Sequence, residues 1–360
     1  MDMQDDRVPV TLLTGFLGAG KTTLLNHLVS HPDMGRIAVI MNEFGDVGLD
    51  HDLIEEVSGD IVLMHAGCLC CSIRGDLAKT MILLLSQRKR GRLVFDHLVI
   101  ETTGIADPRP ILNTLVTDDL IADNYRLDGV VTLADASTGL QTLETQFEAV
   151  SQVAMADLLV VTKADLVTEA ACARYEARLA EINGAARQIR AAHGEVPIEA
   201  LFGLSAMRSE ATSAEIASWL GAGAYPEYRD HSHHRIESAS IEVLDPIQPA
   251  VFKVWLDTLL GLKGPDILRM KGIVHVEGEE WPFVFHGVQH VFNDPVPLTS
   301  WSGKDTKSRV VVIARNMEKA ELQASLETLR MRMKNSETAM PTRRRCGSEA
   351  GAGASPPPAG

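Results

Sequence analysis

The chain contains a glycine-rich segment, GFLGAGKT, at residues 15–22. It follows an apolar run, residues 8–13, whose length and β-branched content are typical of a buried strand, and it precedes the helix-forming stretch TTLLNHLV. Glycines in that setting let the backbone fold so closely that successive N–H groups point at phosphate oxygens. The order of strand, loop and helix therefore predicts a P-loop that binds a nucleoside triphosphate.

Residues of this P-loop have separate expected roles. Lys21 is expected to reach the β- and γ-phosphates, and the hydroxyl of Thr22 is expected to ligate Mg²⁺. The helix that begins near Lys21 adds the positive end of its dipole. The residues expected to surround the nucleotide here are Gly15, Gly18, Ala19, Gly20, Lys21, Thr22 and Thr23.

Charge and composition exclude several classes of function. The 360 residues include 48 acidic and 34 basic side chains, a net charge of −14, which argues against binding to nucleic acid. No apolar run reaches the length of about 18 residues that a membrane-spanning helix needs. The N-terminus, MDMQDDR, lacks the features of a signal peptide. We therefore expect a cytoplasmic protein that contacts neither nucleic acid nor membrane.

The pattern of apolar runs predicts an α/β fold. Short apolar runs alternate with helix-length stretches, which is typical of a P-loop NTPase with a parallel sheet and helices on both faces. In such folds ligands bind beyond the carboxyl ends of the strands. The predicted strands are residues 8–13, 37–41, 61–65, 98–101, 129–133, 158–162 and 196–201.

Composition also suggests domain limits. We expect a P-loop domain over residues 1–220 and a small α+β domain over residues 237–330. Between them, residues 221–236 lose periodicity and contain His231, His233 and His234, so they are interpreted as a linker with weak metal-binding capacity or simply as a polar hinge. The low-complexity tail, residues 331–360, is predicted to be disordered.

Two later motifs complete a nucleotide site. The run that ends in Glu101-Thr102-Thr103-Gly104 offers a strand-end acid for a Mg²⁺-bound water and a glycine N–H that senses the γ-phosphate. Thr162-Lys163-Ala164-Asp165 is similar to the Asn-Lys-x-Asp element of GTPases. Asp165 can accept hydrogen bonds from guanine, and Lys163 is expected along the base plane. Thr162 replaces the usual Asn, so one base contact is weakened or rerouted.

A cysteine cluster follows the third predicted strand. Cys68, Cys70 and Cys71 place three thiols within four positions, just before a predicted helix. Thiolates are soft ligands for Zn²⁺, and a helix N-terminus favours the ligating form. A buried structural cluster and a redox switch remain as alternatives. Glu43 is either a further metal ligand or Mg²⁺ contact, or a solvated acid.

Taken together, the motifs GFLGAGKTTLL, NEFG, GCLCCSIRGDL, ETTGIADP and TKADL resemble the CobW-type metallochaperone GTPases over residues 8–330. The resemblance implies GTP with Mg²⁺, and Zn²⁺ or in some branches Co²⁺ as the cargo of the cysteines. It also implies delivery to a client metalloenzyme, and one branch is associated with nitrile hydratase. The resemblance further implies that GTP and Mg²⁺ order the cysteine loop for metal binding and that hydrolysis releases the metal.

Two other functions remain open. One is a metal buffer or sensor whose nucleotide only adjusts affinity. The other is an ATP-dependent P-loop kinase or ligase, which Asp165 and the cysteines disfavour. The sequence leaves the client and the oligomeric state, including a dimer, undecided.

Overall fold

The computed structural model describes residues 5–31, 35–42, 54–58, 61–66, 73–191, 195–207, 211–221, 236–288, 291–292, 295–299, 301 and 305–333. They form an eight-stranded sheet and a six-stranded sheet. The strands of the first sheet are β1 Val8–Gly15, β2 Ile37–Asn42, β3 Ile54–Ser58, β4 Ile61–Ala66, β5 His97–Glu101, β6 Tyr125–Asp135, β7 Leu158–Thr162 and β8 Arg187–Arg190. The helices beside it are α1 Lys21–Ser30, α2 Ile73–Lys89, α3 Arg109–Thr117, α4 Asp119–Ala122, α5 Gly139–Thr145, α6 Phe147–Met155, α7 Glu169–Ile182 and α8 Ser213–Leu220.

The first sheet is covered on both faces. Successive residues of β1 point to opposite sides, so Leu12 packs with the core cluster that contains α2 and α3, whereas Leu13 packs with the cluster that contains α1. All five residues of β7 are buried. Burial on both faces requires the continuous apolar runs seen in the sequence, because neither face meets water. The predicted α/β architecture is therefore confirmed.

The strand order places the ends of the motif-bearing strands side by side. The order is β3-β4-β2-β5-β1-β6-β7-β8, and from β4 onward neighbouring strands are parallel. β3 runs antiparallel to β4 at the edge. The carboxyl ends of β1, β4, β5 and β7 consequently meet at one edge of the sheet, where a doubly wound fold binds its ligand.

The C-terminal strands form an antiparallel sheet. Its strands are β9 Ile236–Val243, β10 Ile267–Val274, β11 Phe283–Val288, β12 Val291–Phe292, β13 Val296–Pro297 and β14 Ser308–Arg315. Helices α9 Pro249–Lys263 and α10 Lys319–Glu327 belong to the same unit. Their side chains Trp255 and Leu326 share a buried cluster with Phe285 of β11. The predicted α+β character of this region is therefore confirmed.

One predicted strand is wrong. Residues 196–201 contain a short 3-10 helix, Ile198–Ala200, and the edge strand is β8, whose sequence is RQIR. An edge strand need not be apolar, because one side of it faces solvent, so β8 has no hydrophobic run to reveal it. The antiparallel strand β3, IEEVS, was not predicted for the same reason.

Candidate nucleotide-binding site

The P-loop connects β1 to α1. β1 ends at Gly15, and α1 begins at Lys21 after Gly20, which has a φ of 95°. Gly18 also has a positive φ, 75°, a conformation that favours glycine. At Gly15, with a φ of 145°, a Cβ would lie 2.6 Å from the carbonyl oxygen of Leu133 on β6. These glycines therefore permit a tight loop that wraps directly against the sheet.

Lys21 folds back into this loop. Its ammonium donates hydrogen bonds to the carbonyl oxygens of Gly15 at 2.8 Å and Phe16 at 3.2 Å, and the residue is buried. Burial lowers the pKa of Lys21, while the negative charge of Glu101 acts in the opposite direction. A cation held inside an arch of backbone is suited to bind phosphate oxygens. Thr22, next to it on α1, is exposed.

The end of β5 is fastened to the end of β1. Glu101 is buried and lies opposite Leu13 in the parallel register. The N–H of the next residue, Thr102, donates to the carbonyl of Leu13 at 2.9 Å. The hydroxyl of Thr102 donates to the hydroxyl of Thr14 at 2.8 Å. The structure thus brings the predicted strand-end acid to the base of the P-loop.

The Gly104 loop, residues 102–106, touches the P-loop. A Cβ on Gly104 would lie 2.6 Å from the backbone nitrogen of Leu17, so the two backbones are in direct contact. Because the two loops approach so closely, a glycine is required at position 104. The side chains of Leu17 and Ile105 in these loops are exposed.

The base-recognition segment lies on the other side of the P-loop. Thr162, Lys163 and Asp165 line a cavity of about 290 Å³. The P-loop and α1 supply the opposite wall of this cavity through Ala19, Gly20, Thr23 and Leu24. The structure thus brings together the residues that the sequence assigned to the base and some of those assigned to the phosphates.

Thr162 and Lys163 have contacts that the sequence did not predict. The hydroxyl of Thr162 donates to the carbonyl of Ala19 at 2.9 Å. Lys163 has a φ of 55°, and its ammonium lies 2.7 Å from a carboxylate oxygen of Asp135 at the end of β6. Burial acts to raise the pKa of Asp135, but hydrogen bonds from Lys163 and Ser137 outweigh it and hold the pKa below its ordinary value.

Sequence reasoning missed two residues of this region. Asp135 ends a buried strand just as Glu101 does, and that position was a usable signal. Gln152 lies within α6, is buried, and donates from its amide to the carbonyls of Gly104 and Ala106 at 3.1 and 3.2 Å. A glutamine within an apolar helix carries no signal that identifies its distant partner.

The predicted zinc ligands lie in a part of the chain that the structure does not describe. Glu43, Cys68, Cys70 and Cys71 lie outside the described residues, as do the histidines of the predicted linker. Among the residues that are described, no group of three or more His, Cys, Asp or Glu side chains could hold a metal ion. Cys172 is buried in α7 with a free thiol.

The described strands nevertheless fix where the cysteine segment starts. In the parallel register Ala66 at the end of β4 lies opposite Asn42, and Met41 of β2 lies opposite Glu101 of β5. α2 then begins at Ile73. The chain therefore leaves β4 at the same sheet edge as Glu101, with β2 between them.

None of the described helices combines the length and the apolar character needed to cross a membrane.

Comparisons with known proteins identify the family. Residues 9–190 match the model of the CobW/HypB/UreG nucleotide-binding domain, and residues 236–330 match that of the cobalamin synthesis protein CobW C-terminal domain. The zinc chaperone YjiA of Escherichia coli is 33% identical over 323 residues, which cover 90% of this chain and 99% of that protein. The zinc-regulated GTPase metalloprotein activator 1 of Schizosaccharomyces pombe is 31% identical over 350 residues, covering 87% and 84%.

The solved structures agree with this assignment. The crystal structure of zinc-bound YjiA GTPase from E. coli has a TM-score of 0.70 and 30% identity, covering 90% of this chain and 99% of that one. YjiA has also been crystallised with zinc as a triple mutant in which alanine replaces one glutamate and two cysteines. On the match to both family models and the similarity to whole relatives, the chain belongs to the CobW/HypB/UreG family of nucleotide-binding proteins.

Proposed function

We propose that this chain is a GTPase metallochaperone that binds zinc at Cys68, Cys70 and Cys71 under the control of the bound guanine nucleotide. The observation that carries the proposal is the strand register. The end of β4, from which the cysteine segment continues, lies at the sheet edge that also holds Glu101 and the P-loop. The relatives named as zinc chaperones and as GTPases support the same function.

The register limits how far the thiols can be from the nucleotide. Neighbouring strands lie about 4.8 Å apart, so the end of β4 is about 10 Å from the end of β5. Cys68 follows Ala66 by two residues and Cys71 by five, stretches of chain that span at most about 7 Å and about 18 Å. A rearrangement at the γ-phosphate can therefore affect the cysteine segment through only a few intervening residues.

The described residues fit the requirements of GTP and Mg²⁺. Lys21 binds the β- and γ-phosphates, and Gly104 donates its N–H to the γ-phosphate. The exposed hydroxyl of Thr22 and the carboxylate of Glu101, directly or through a water, are the oxygen donors that hold Mg²⁺. When bound, Mg²⁺ neutralises charge on the phosphates. Asp165 selects guanine over adenine by accepting its N–H groups.

Zinc is the cargo of this cycle. Three thiolates leave a tetrahedral Zn²⁺ with one further position, which Glu43 or a client ligand fills. An incomplete ligand set exchanges metal more readily than a closed one, as delivery requires. Thiolate ligands favour Zn²⁺, and Co²⁺ is the competing ion that the same site also binds.

Delivery requires a client metalloprotein. We assign its recognition to the α+β unit, residues 237–330, which follows the linker 221–236 and precedes the tail 331–360. This unit contains its own buried core, including Trp255 and Phe285, and so offers a surface separate from the nucleotide site.

Two measurements on purified protein test this function. Phosphate release is measured with GTP and with ATP, using Lys21→Ala as the inactive variant.

Zinc affinity is measured by competition with a chromophoric chelator for the wild type and for the Cys70→Ala, Cys71→Ala double variant. Cys172→Ala is the matched control, since that thiol is buried in α7. Solution competition is needed because the YjiA triple mutant also carries zinc in its crystal.

We expect slow turnover of GTP, on the order of 10⁻⁴ to 10⁻² per second as in unassisted GTPases, and little turnover of ATP. The double variant should lose tight zinc binding, while Cys172→Ala keeps it. Equal use of ATP would favour an ATP-dependent enzyme instead. Unchanged zinc affinity in the double variant would exclude the cysteines as the cargo site.

A further inference from the structure

The last turn of helix α6 is fastened to the Gly104 loop. Its residue Gln152 is 1% exposed, and the side-chain amide donates to the carbonyls of Gly104 at 3.1 Å and Ala106 at 3.2 Å. The backbone carbonyl of Gln152 accepts a hydrogen bond from the hydroxyl of Thr132 on β6. One buried amide therefore binds two carbonyls, two residues apart, in the loop that approaches the P-loop.

The same turn of α6 is also held by the C-terminal sheet. Arg269 of β10 donates to the carbonyl of Met155, the last residue of α6, and also pairs with Asp157. Lys271, two residues further along β10, places its ammonium 2.6 Å from the Asp157 carboxylate. Asp157 also accepts the N–H of Val130 at 2.9 Å, which ties the cluster to β6.

The Asp157, Arg269 and Lys271 cluster is a rigid connection between the two sheets. The three side chains are 4%, 3% and 2% exposed, so water does not replace their contacts. Separating a buried ion pair leaves uncompensated charges in a medium of low polarity, which is strongly unfavourable. The junction between α6 and β7 should therefore move together with β10.

The last turn of α6 can carry a displacement from the Gly104 loop to β10, because Gln152 and Met155 are only three residues apart. Every residue from Ala149 to Met155 is buried, and the last turn is clamped by Asn183, whose amide donates to the carbonyls of Val153, Ala154 and Ala156. A packed helix of this kind shifts as a unit, because close-packed interiors deform little.

We propose that Gln152 is a positioning residue for the Gly104 loop, and that α6 transmits the position of that loop to β10 of the C-terminal sheet. The inference rests on the proposed GTPase function. When the N–H of Gly104 binds the γ-phosphate, the adjoining carbonyls shift with the loop, and Gln152 couples that shift to α6. The nucleotide state thereby reaches the unit that we assign to client recognition.

The first test separates positioning from folding. Gln152→Leu removes both hydrogen bonds to the loop, whereas Thr132→Val removes a bond to the backbone of the same residue and leaves the loop contacts intact. We expect kcat for GTP hydrolysis to fall by about tenfold or more in Gln152→Leu with KM changed less than about twofold, and Thr132→Val to match the wild type. An equal loss of kcat in both variants would show that Gln152 supports the fold in general and does not position the Gly104 loop.

The second test follows the transmission itself and does not need turnover. Hydrogen exchange is compared between the GDP state and the state with a non-hydrolysable GTP analogue, in the wild type and in Gln152→Leu. In the wild type, protection should change both in residues 102–106 and in β10, and in the variant the change in β10 should be lost. A wild type whose β10 does not respond, or a variant whose β10 responds normally, would overturn the proposal. Failure of the wild type to hydrolyse GTP would instead overturn the GTPase function.

Discussion

Thr162 donates a hydrogen bond from its hydroxyl to the carbonyl of Ala19 at 2.9 Å, which joins the base-recognition segment to the P-loop. Both residues are buried, so water does not satisfy the carbonyl if the hydroxyl is lost. Thr162→Val should weaken the binding of GDP and GTP by about fivefold to tenfold, which corresponds to about 1 to 1.4 kcal/mol.

Fluorescent nucleotide titration measures this effect. The control is Thr114→Val, which removes a bond between the Thr114 hydroxyl and the Pro110 carbonyl within α3, and should leave the affinity unchanged. Equal nucleotide affinities in Thr162→Val and the wild type would show that the link between the two segments does not shape the site.

Asp165 provides a test of base selectivity. It lines the cavity beside α1 and is exposed there to an incoming ligand. Asp165→Asn removes the charge that accepts hydrogen bonds from guanine, and each bond to a charged group is worth about 1.5 kcal/mol or more. We expect GTP affinity to fall by about a hundredfold, and ATP affinity, measured in the same titration, to stay the same. A parallel loss for both nucleotides would contradict a role in base selection.

Gly104 provides a test of the contact between the loops. Gly104→Ala would place a methyl group 2.6 Å from the nitrogen of Leu17, so one loop must move. We expect GTP hydrolysis to fall by at least about tenfold, since catalysis depends on exact placement of these loops. Gly261→Ala in α9 is the matched control, because its methyl group meets no atom within 4 Å. That variant should keep full activity and gain up to about 1 kcal/mol in unfolding free energy.

Two histidines, His286, which is buried, and His97, which is partly buried, predict how stability depends on pH. Burial, with a contribution from Arg126, lowers the pKa of His97 to about 3. Burial, with a contribution from Arg269, lowers the pKa of His286 to about 3. Below the ordinary histidine pKa of about 6.5 the unfolded chain takes up these protons while the folded chain does not. Stability is therefore complete above about pH 6.5 and is lost as the pH falls toward 3.

Urea unfolding between pH 7 and pH 4.5 measures this loss. Each histidine contributes up to about 1.4 kcal/mol per pH unit. His97→Gln should lower the slope of unfolding free energy against pH by that amount, whatever its effect on stability at pH 7. A slope identical to that of the wild type would mean that His97 takes up its proton in the folded protein as readily as in the unfolded chain.

The P-loop fold could be predicted because its signals are local. β1, β5 and β7 are almost wholly buried and therefore consist largely of apolar residues, and each ends in a motif that the sequence displays directly. The edge strands β3 and β8 lack this constraint, and their polar sequences, IEEVS and RQIR, gave no comparable signal.

Contacts between distant parts of the chain could not be predicted in the same way. Gln152 is 48 residues from Gly104, and Asp157 is 112 residues from Arg269. Each is an ordinary polar residue in its local sequence, and its role follows only from which elements the fold packs against each other. The substitution of Thr162 for the usual Asn was visible in the sequence, but its bond to Ala19 required the structure.

The measurement that tests the central claim most directly is zinc affinity in the two nucleotide states. It is determined by chelator competition with Mg²⁺ present, comparing GDP with a non-hydrolysable GTP analogue, for the wild type and the Cys70→Ala, Cys71→Ala variant. We predict binding at least about tenfold tighter with the GTP analogue, equivalent to about 1.4 kcal/mol, and no such difference in the variant. Equal zinc affinity in the two states of the wild type would contradict nucleotide-controlled transfer and would favour the alternative function, a metal buffer.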